Sequence, residues 1–263
     1  MQLTLTDITY RYDDAPDPAL PPISVTFPSG WTGIVGSNGT GKTTLLRLVC
    51  GELIPFNGRI VPRLNGIYCP QETERAPAAA GEFVSDYRAE ARAVRRALGI
   101  QGDWAERYGT LSEGERKRLQ VAVALWQNPD VLALDEPTNH VDAECRERLL
   151  EALKSFSGVG LLVSHDREML DALAGQCLFL GSSAVLRAGS YSHGRAQELA
   201  DQKAAARQRM HAKSEVARLQ QAKAARNQEA AKADARRSKR GIPKGDKSAK
   251  GRHRPRHFNG PRR

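Results

Sequence analysis

Two adjacent carboxylates, Asp135 and Glu136, close the apolar run Val131–Leu134 and lead into Pro137 and a polar loop within VLALDEPTNHVD. The exits of buried strands are where ligands gather in α/β proteins. An aspartate placed there can hold Mg²⁺, and a glutamate beside it can orient and polarise an attacking water, because phosphoryl transfer depends on positioning and charge neutralisation. Such a pair needs a phosphate cradle, and the chain has one. Gly36-Ser37-Asn38-Gly39-Thr40-Gly41-Lys42-Thr43 fits G-x-x-x-x-G-K-[ST] and lies between an apolar strand, Trp31–Val35, and a helical run that begins at Thr43 and continues through Thr44 to Cys50. Its glycines let backbone N–H groups turn inward, Lys42 supplies a point charge for the β- and γ-phosphates, and the Thr43 hydroxyl can ligate Mg²⁺.

These residues must be carried by an α/β core. Short apolar strands are expected at Leu3–Tyr10, Ile23–Phe27, Trp31–Val35, Gly66–Cys69, Val131–Leu134, Gly160–Ser164, Cys177–Leu180 and Ala184–Arg187. They alternate with helical patterns at Thr43–Cys50, Glu113–Trp126 and Ala143–Phe156. That order predicts a largely parallel sheet with antiparallel strands at its N-terminal edge. Between Gln71 and Leu111 an Ala/Arg/Glu-rich stretch predicts a helical subdomain over about residues 72–127. The expected domains are therefore a nucleotide-binding unit over 1–194, a basic helical arm over 195–237, and a basic, unstructured tail over 238–263.

At 263 residues the chain can bury one substantial core, with some length left over. Its net charge of +10 is unevenly distributed. Residues 1–194 carry 19 Lys and Arg against 24 Asp and Glu, a net of −5, whereas residues 195–263 carry 21 against 6, a net of +15. The basic excess points to a polyanionic partner for the arm, with a plain solvated helix as the alternative. Phe258 is the one aromatic residue after Tyr191, so base stacking is not expected there. Cys50, Cys69, Cys145 and Cys177 form no C-x-x-C pair and read as small core residues of a reducing compartment. No run approaches the length of a membrane span, and a soluble, cytoplasmic protein is expected.

Four further segments fall in the order found in the ATP-binding cassette (ABC) superfamily, which the chain resembles over residues 1–194. Tyr12, with Tyr10 as the alternative, resembles the aromatic that stacks on adenine, and Gln71 in Tyr68-Cys69-Pro70-Gln71 resembles the glutamine that reports on Mg²⁺ and water. Leu111-Ser112-Glu113-Gly114-Glu115 looks like the signature usually written LSGGE and departs from it at Glu113. By its residues alone, Ser112 followed by Glu115 fits a capping box. In the family this segment binds the γ-phosphate held by an opposite cassette, which would assign Ser112, Gly114 and Glu115 a role in trans. His165 resembles the switch histidine that contacts the γ-phosphate, and Asp142 the aspartate that communicates across a dimer.

The sharper resemblance is to the ABC-F subfamily, which typically reads DEPTNHLD where this chain has DEPTNHVD; Ser164-His165-Asp166-Arg167 and Gly189-Ser190-Tyr191-Ser192 are also similar to it. The resemblance implies a P-loop NTPase fold of the ABC ATPase type with a helical subdomain. It implies ATP and Mg²⁺ as cofactors, with Thr43, Gln71 and Asp135 near the metal and Glu136, His165 and Gln71 at the reaction. It further implies action on the ribosome as a translation factor or resistance protein, RNA contact through residues 195–263, and pairing with a second cassette or a second copy, since this chain carries only one. The alternatives are the ATP-binding subunit of a membrane transporter, or a nucleic-acid-binding protein that keeps the cassette as a remnant.

Overall fold

Every residue of the strand Val131–Asp135 (β6) is buried, and its side chains divide by the period of two: Leu132 and Leu134 enter one core, Val131 and Ala133 another. The sheet around β6 is thus covered on both faces, as a parallel sheet requires. The computed structural model describes residues 1–13, 17–139, 141–181 and 183–240, with side chains described as far as residue 233.

The main sheet has six strands in the order β5-β6-β7-β3-β8-β9: Gly66–Cys69 (β5), β6, Val159–Val163 (β7), Gly30–Gly36 (β3), Ala174–Leu180 (β8) and Ala184–Ala188 (β9). The first five run parallel, and β9 is antiparallel to β8. A separate three-stranded antiparallel sheet has the order β2-β1-β4, from Gln2–Tyr10 (β1), Leu20–Pro28 (β2) and Asn57–Val61 (β4). Its inward residues, Leu3, Leu5, Ile23 and Phe27 among them, join helix Lys42–Val49 (α1) in the second core. The antiparallel edge therefore forms a sheet of its own.

The first core lies under the helices Ala80–Ser85 (α2), Ala89–Leu98 (α3), Glu113–Trp126 (α4), Ala143–Lys154 (α5) and Arg167–Leu173 (α6). Helix α3 ends in left-handed Gly99, and a short 3-10 turn, Tyr108–Thr110, precedes α4. The fold is the P-loop NTPase type with mixed α/β sheets. All four cysteines are free thiols, and Cys69, Cys145 and Cys177 are buried. Burial pushes their thiols up, to about 12 for Cys69 and about 11 for the other two.

Two units divide the chain at Leu199–Ala200. The second is helical as far as Arg240, in a helix that begins at Tyr191 (α7), and each of its described side chains, residues 200–233, is exposed. The tail expected over 238–263 lies, from residue 241 on, outside the described residues, as does His140. Among the described residues no helix is long and apolar enough to cross a membrane.

Candidate functional site

The turn from β3 into α1 is built by glycine. Gly41 has φ +88°, a left-handed conformation that L side chains rarely adopt, and a Cβ there would sit 2.5 Å from Ala19 O. As N-cap of α1 it offers no side chain, so the first N–H groups of the helix are not closed by a capping group. Lys42 folds back over the loop, its Nζ donating to Gly36 O (2.9 Å) and Ser37 O (3.1 Å), and the Thr40 hydroxyl donates to Ser37 O (2.9 Å).

Strand β6 delivers its two carboxylates opposite this turn. Asp135, 6% exposed, accepts from the Thr43 hydroxyl (2.6 Å) and the Tyr68 hydroxyl (3.2 Å) at the same oxygen, Oδ2. Glu136, 7% exposed, sits at φ +48°, unusual for a residue with a long side chain and a mark of local strain. Its N–H still reaches Val163 O on β7 (2.9 Å). That conformation turns the carboxylate toward the end of β7, where the His165 N–H donates to Oε2 (3.1 Å) and His165 Nε2 lies 3.3 Å from Oε1. Burial raises the Glu136 carboxyl above its ordinary value, against the opposing pull of the His165 N–H. The His165 ring is 74% exposed at the rim.

One open cavity of about 600 Å³ collects these groups: Tyr12, Asn38, Gly39, Gly41, Lys42, Thr43, Thr44, Gln71, Asp135, Glu136 and His165 all line it. The Tyr12 hydroxyl lies 3.3 Å from Thr44 Oγ1, and its ring meets Tyr10 edge to face at 4.9 Å. Gly36, Ser37 and Thr40 shape the loop without lining the cavity. Ser112, Gly114 and Glu115 lie outside its lining. There Ser112 caps α4: its N–H and hydroxyl both donate to Glu115 Oε2 (2.8 Å each), and the Glu115 N–H donates to Ser112 Oγ (3.4 Å). Asp142 caps α5 by accepting from the Cys145 N–H (2.7 Å), and lines a neighbouring cavity that it shares with Glu136, Asn139 and His165.

Sequence reasoning missed Tyr68, Asn139 and Ala19. Tyr68 opens the Tyr68–Gln71 segment, and its hydroxyl donates to Asp135. Asn139 lines both cavities, and its N–H donates to Glu136 O (3.2 Å). The donor set suits Mg²⁺: one hydroxyl and one carboxylate, 2.6 Å apart, are hard oxygen ligands of the number that this ion takes from protein when phosphates supply others. Among the described residues no group of three or more His, Cys, Asp or Glu could hold a metal.

A family model described as ABC transporter matches residues 20–139, from β2 to the loop after Glu136. The chain is 34% identical to the tylosin resistance ATP-binding protein TlrC of Streptomyces fradiae, with 72% of this chain and 44% of that protein covered. It is 33% identical to the ribosome protection protein VmlR of Bacillus subtilis, covering 72% and 33% respectively. A third relative, the "Probable ATP-binding protein YheS" of Escherichia coli K12, is 37% identical over 54% of this chain and 24% of its own. The chain thus spans less than half the length of the relatives it matches. The cavity at the end of β6 is that of an ATP-binding cassette, and the chain belongs to the ABC ATPases, within them to the ABC-F kind.

Proposed function

We propose that this cassette, residues 1–194, hydrolyses Mg·ATP with Glu136 as the general base and acts on the ribosome through the basic residues 195–263. The observation that carries the catalytic reading is the placing of the buried Glu136 carboxylate. It shares one cavity with Lys42, with the Thr43–Asp135 pair and with His165, whose N–H holds one of its oxygens. Thr43 and Asp135, with Gln71 at the cavity wall, would hold Mg²⁺, which when bound neutralises phosphate charge. Lys42 exchanges its loop carbonyls for phosphate oxygens, and the open N-terminus of α1 adds N–H donors. Tyr12 stacks on the base. Glu136 takes the proton of the attacking water, its basicity strengthened by the same burial that raises its carboxyl. His165 orients Glu136 through its backbone and meets the γ-phosphate with its ring.

Supporting a ribosomal target, one relative is named a ribosome protection protein and another a tylosin resistance protein. The arm adds charge suited to RNA backbone, with a net of +15 over residues 195–263. Closing a nucleotide site needs the Ser112 segment of a second cassette or copy, and the anion that segment meets must compete with Glu115 for the N–H of Ser112.

Glu136→Gln should retain ATP binding and lower turnover by roughly 10²–10⁴-fold. Near-normal hydrolysis by that variant removes the catalytic assignment. For the arm, co-sedimentation of the Glu136→Gln protein with ribosomes in ATP should fall steeply with salt and be lost on deletion of residues 195–263. Binding that ignores salt, or survives the deletion, refutes the arm's role.

A further inference from the structure

A separate cavity of about 710 Å³ opens between the end of helix α1 and strand β4, and none of the residues that line it lines the nucleotide cavity. Its floor is apolar, with Leu3 of β1 and Leu48 and Val49 of α1 all buried. Leu53, Ile54 and Ile60 stand around that floor. Arg59 and Arg63 also line the cavity, and no acidic residue does. Large apolar side chains in and beside it face water: Ile54 is 85% exposed, Phe56 72% and Val61 45%. Apolar side chains scattered singly are ordinary on a surface, but three within residues 54–61, next to an apolar cavity, mark a face that something covers.

The charge around this cavity is equally one-sided. Glu52 is the one carboxylate in residues 50–65, and it is taken by Arg47 at 3.2 Å. Among the described residues the side chains of Arg59 and Arg63 have neither an ion-pair nor a hydrogen-bond partner. Arg11 adds a further cation, its guanidinium carbon 5.6 Å from the centre of the Phe56 ring. These arginines belong to a unit whose residues 1–194 carry a net charge of −5, so the local excess of positive charge runs against the rest of that surface.

An occupant must therefore bring aliphatic or aromatic anchors for the floor and negative charge for the rim. Nucleic acid supplies the charge but no aliphatic anchor. A second copy meeting this face with its own would set arginine against arginine, because a two-fold contact is made by the same patch on both sides. An acidic peptide with apolar anchors supplies both. Strand β4 favours an extended one, since it is the edge of its sheet, in the order β2-β1-β4, and its outer backbone groups have no strand partner.

We propose that this cavity is a docking site for an extended acidic segment of a partner protein, whose apolar side chains enter between α1 and β4 while its carboxylates meet Arg59 and Arg63. The contact is independent of nucleotide.

The experiment uses the full chain and two synthetic peptides of equal charge. One alternates Leu and Phe with Asp and Glu, and the other has Ser in place of Leu and Phe. Fluorescence anisotropy reads affinity, and hydrogen–deuterium exchange separates contact at residues 51–64 from contact with the basic residues 195–233. The first peptide should bind roughly 10-fold tighter than the second and slow exchange at 51–64. Arg59→Glu combined with Arg63→Glu should weaken it on the order of 10-fold, and Ile54→Ser by roughly 3- to 10-fold. All three positions are exposed and lie outside the nucleotide cavity, so Tm and ATP affinity should stay at their wild-type values. Equal affinity for the two peptides, with slowing confined to 195–233, is attraction to the basic residues alone and overturns the proposal. Wild-type affinity in both variants overturns it as well. Slowing at 51–64 by an oligouridylate and not by the first peptide gives the face to nucleic acid, and self-association abolished by Ile54→Ser without any peptide effect gives it to a second copy; either result ends the proposal.

Discussion

The chain has two helix N-termini of interest, and they are finished in opposite ways. Helix α1 begins at Gly41 with no capping side chain, in a left-handed turn that only glycine adopts comfortably. Helix α4 begins at Ser112 with a reciprocal cap, in which one oxygen of Glu115 accepts from both the N–H and the hydroxyl of Ser112. Both ends have the same dipole and the same unsatisfied donors. At α1 those donors are kept for a ligand and strain is tolerated to keep them. At α4 the Glu115 carboxylate already takes the N–H and the hydroxyl of Ser112, and Ser112 Oγ takes the Glu115 N–H. The first end can bind phosphate as it stands, and the second only in competition with its own cap.

The largest break in that comparison should come from Gly41→Ala. The new Cβ meets Ala19 O at 2.5 Å and Leu20 Cδ1 at 2.8 Å, on a backbone already at φ +88°, so the loop must move. ATP affinity should fall on the order of 100-fold, about 3 kcal/mol at 1.4 kcal/mol per tenfold, as read by equilibrium titration with a fluorescent ATP analogue. Affinity close to wild type would mean that the open end of α1 is not what holds phosphate. Ser112→Ala acts at the other end and should be felt as stability alone. Loss of the cap should cost about 1 kcal/mol, a fall in Tm of roughly 2–4 °C in a domain of this size, with ATP affinity unchanged. A drop in ATP affinity of the isolated chain would join Ser112 to the nucleotide cavity of its own cassette.

The phosphate loop and the Asp135–Glu136 pair could be read from sequence because each is local: a spacing over eight residues, or two carboxylates after an apolar run, fixes both residue type and element. Strand β4 escaped because Asn57–Val61 has neither alternation nor burial, being mostly exposed, and exists through its ladder with β1. Helix α6 has seven residues, too few for a helical period to show. Tyr68 and Lys117 escaped for a different reason. Their partners lie 67 residues away at Asp135, and 47 and 46 residues away at Pro70 and Gln71, and nothing local marks a tyrosine or a lysine for such contacts. Glu136 likewise has tertiary partners that its neighbours in sequence do not announce, its N–H donating to Val163 O and its Oε2 accepting from the His165 N–H.

The smallest effect contrasts the carboxyl of each end. Glu115, at the α4 cap, is held below its ordinary value of 4.5 by the Ser112 N–H, while Glu136, facing the α1 cavity, is raised above the same value by burial. A depressed carboxyl contributes stability that is present above 4.5 and lost as pH falls through the depressed value. A raised one contributes stability present below 4.5 and lost as pH climbs through the raised value. Replacing each by glutamine removes its titration. The Tm of Glu115→Gln relative to wild type should therefore become more negative from about pH 4 to pH 7, whereas that of Glu136→Gln should become more positive over the same range. The His165 N–H and Lys42 oppose the rise at Glu136 and Asp135 reinforces it, so its slope should be shallow. Thermal melts across this range decide the matter by sign: two slopes of the same sign would mean that the carboxyl at the α4 cap and the carboxyl in the cavity are not set apart by their surroundings as the geometry requires.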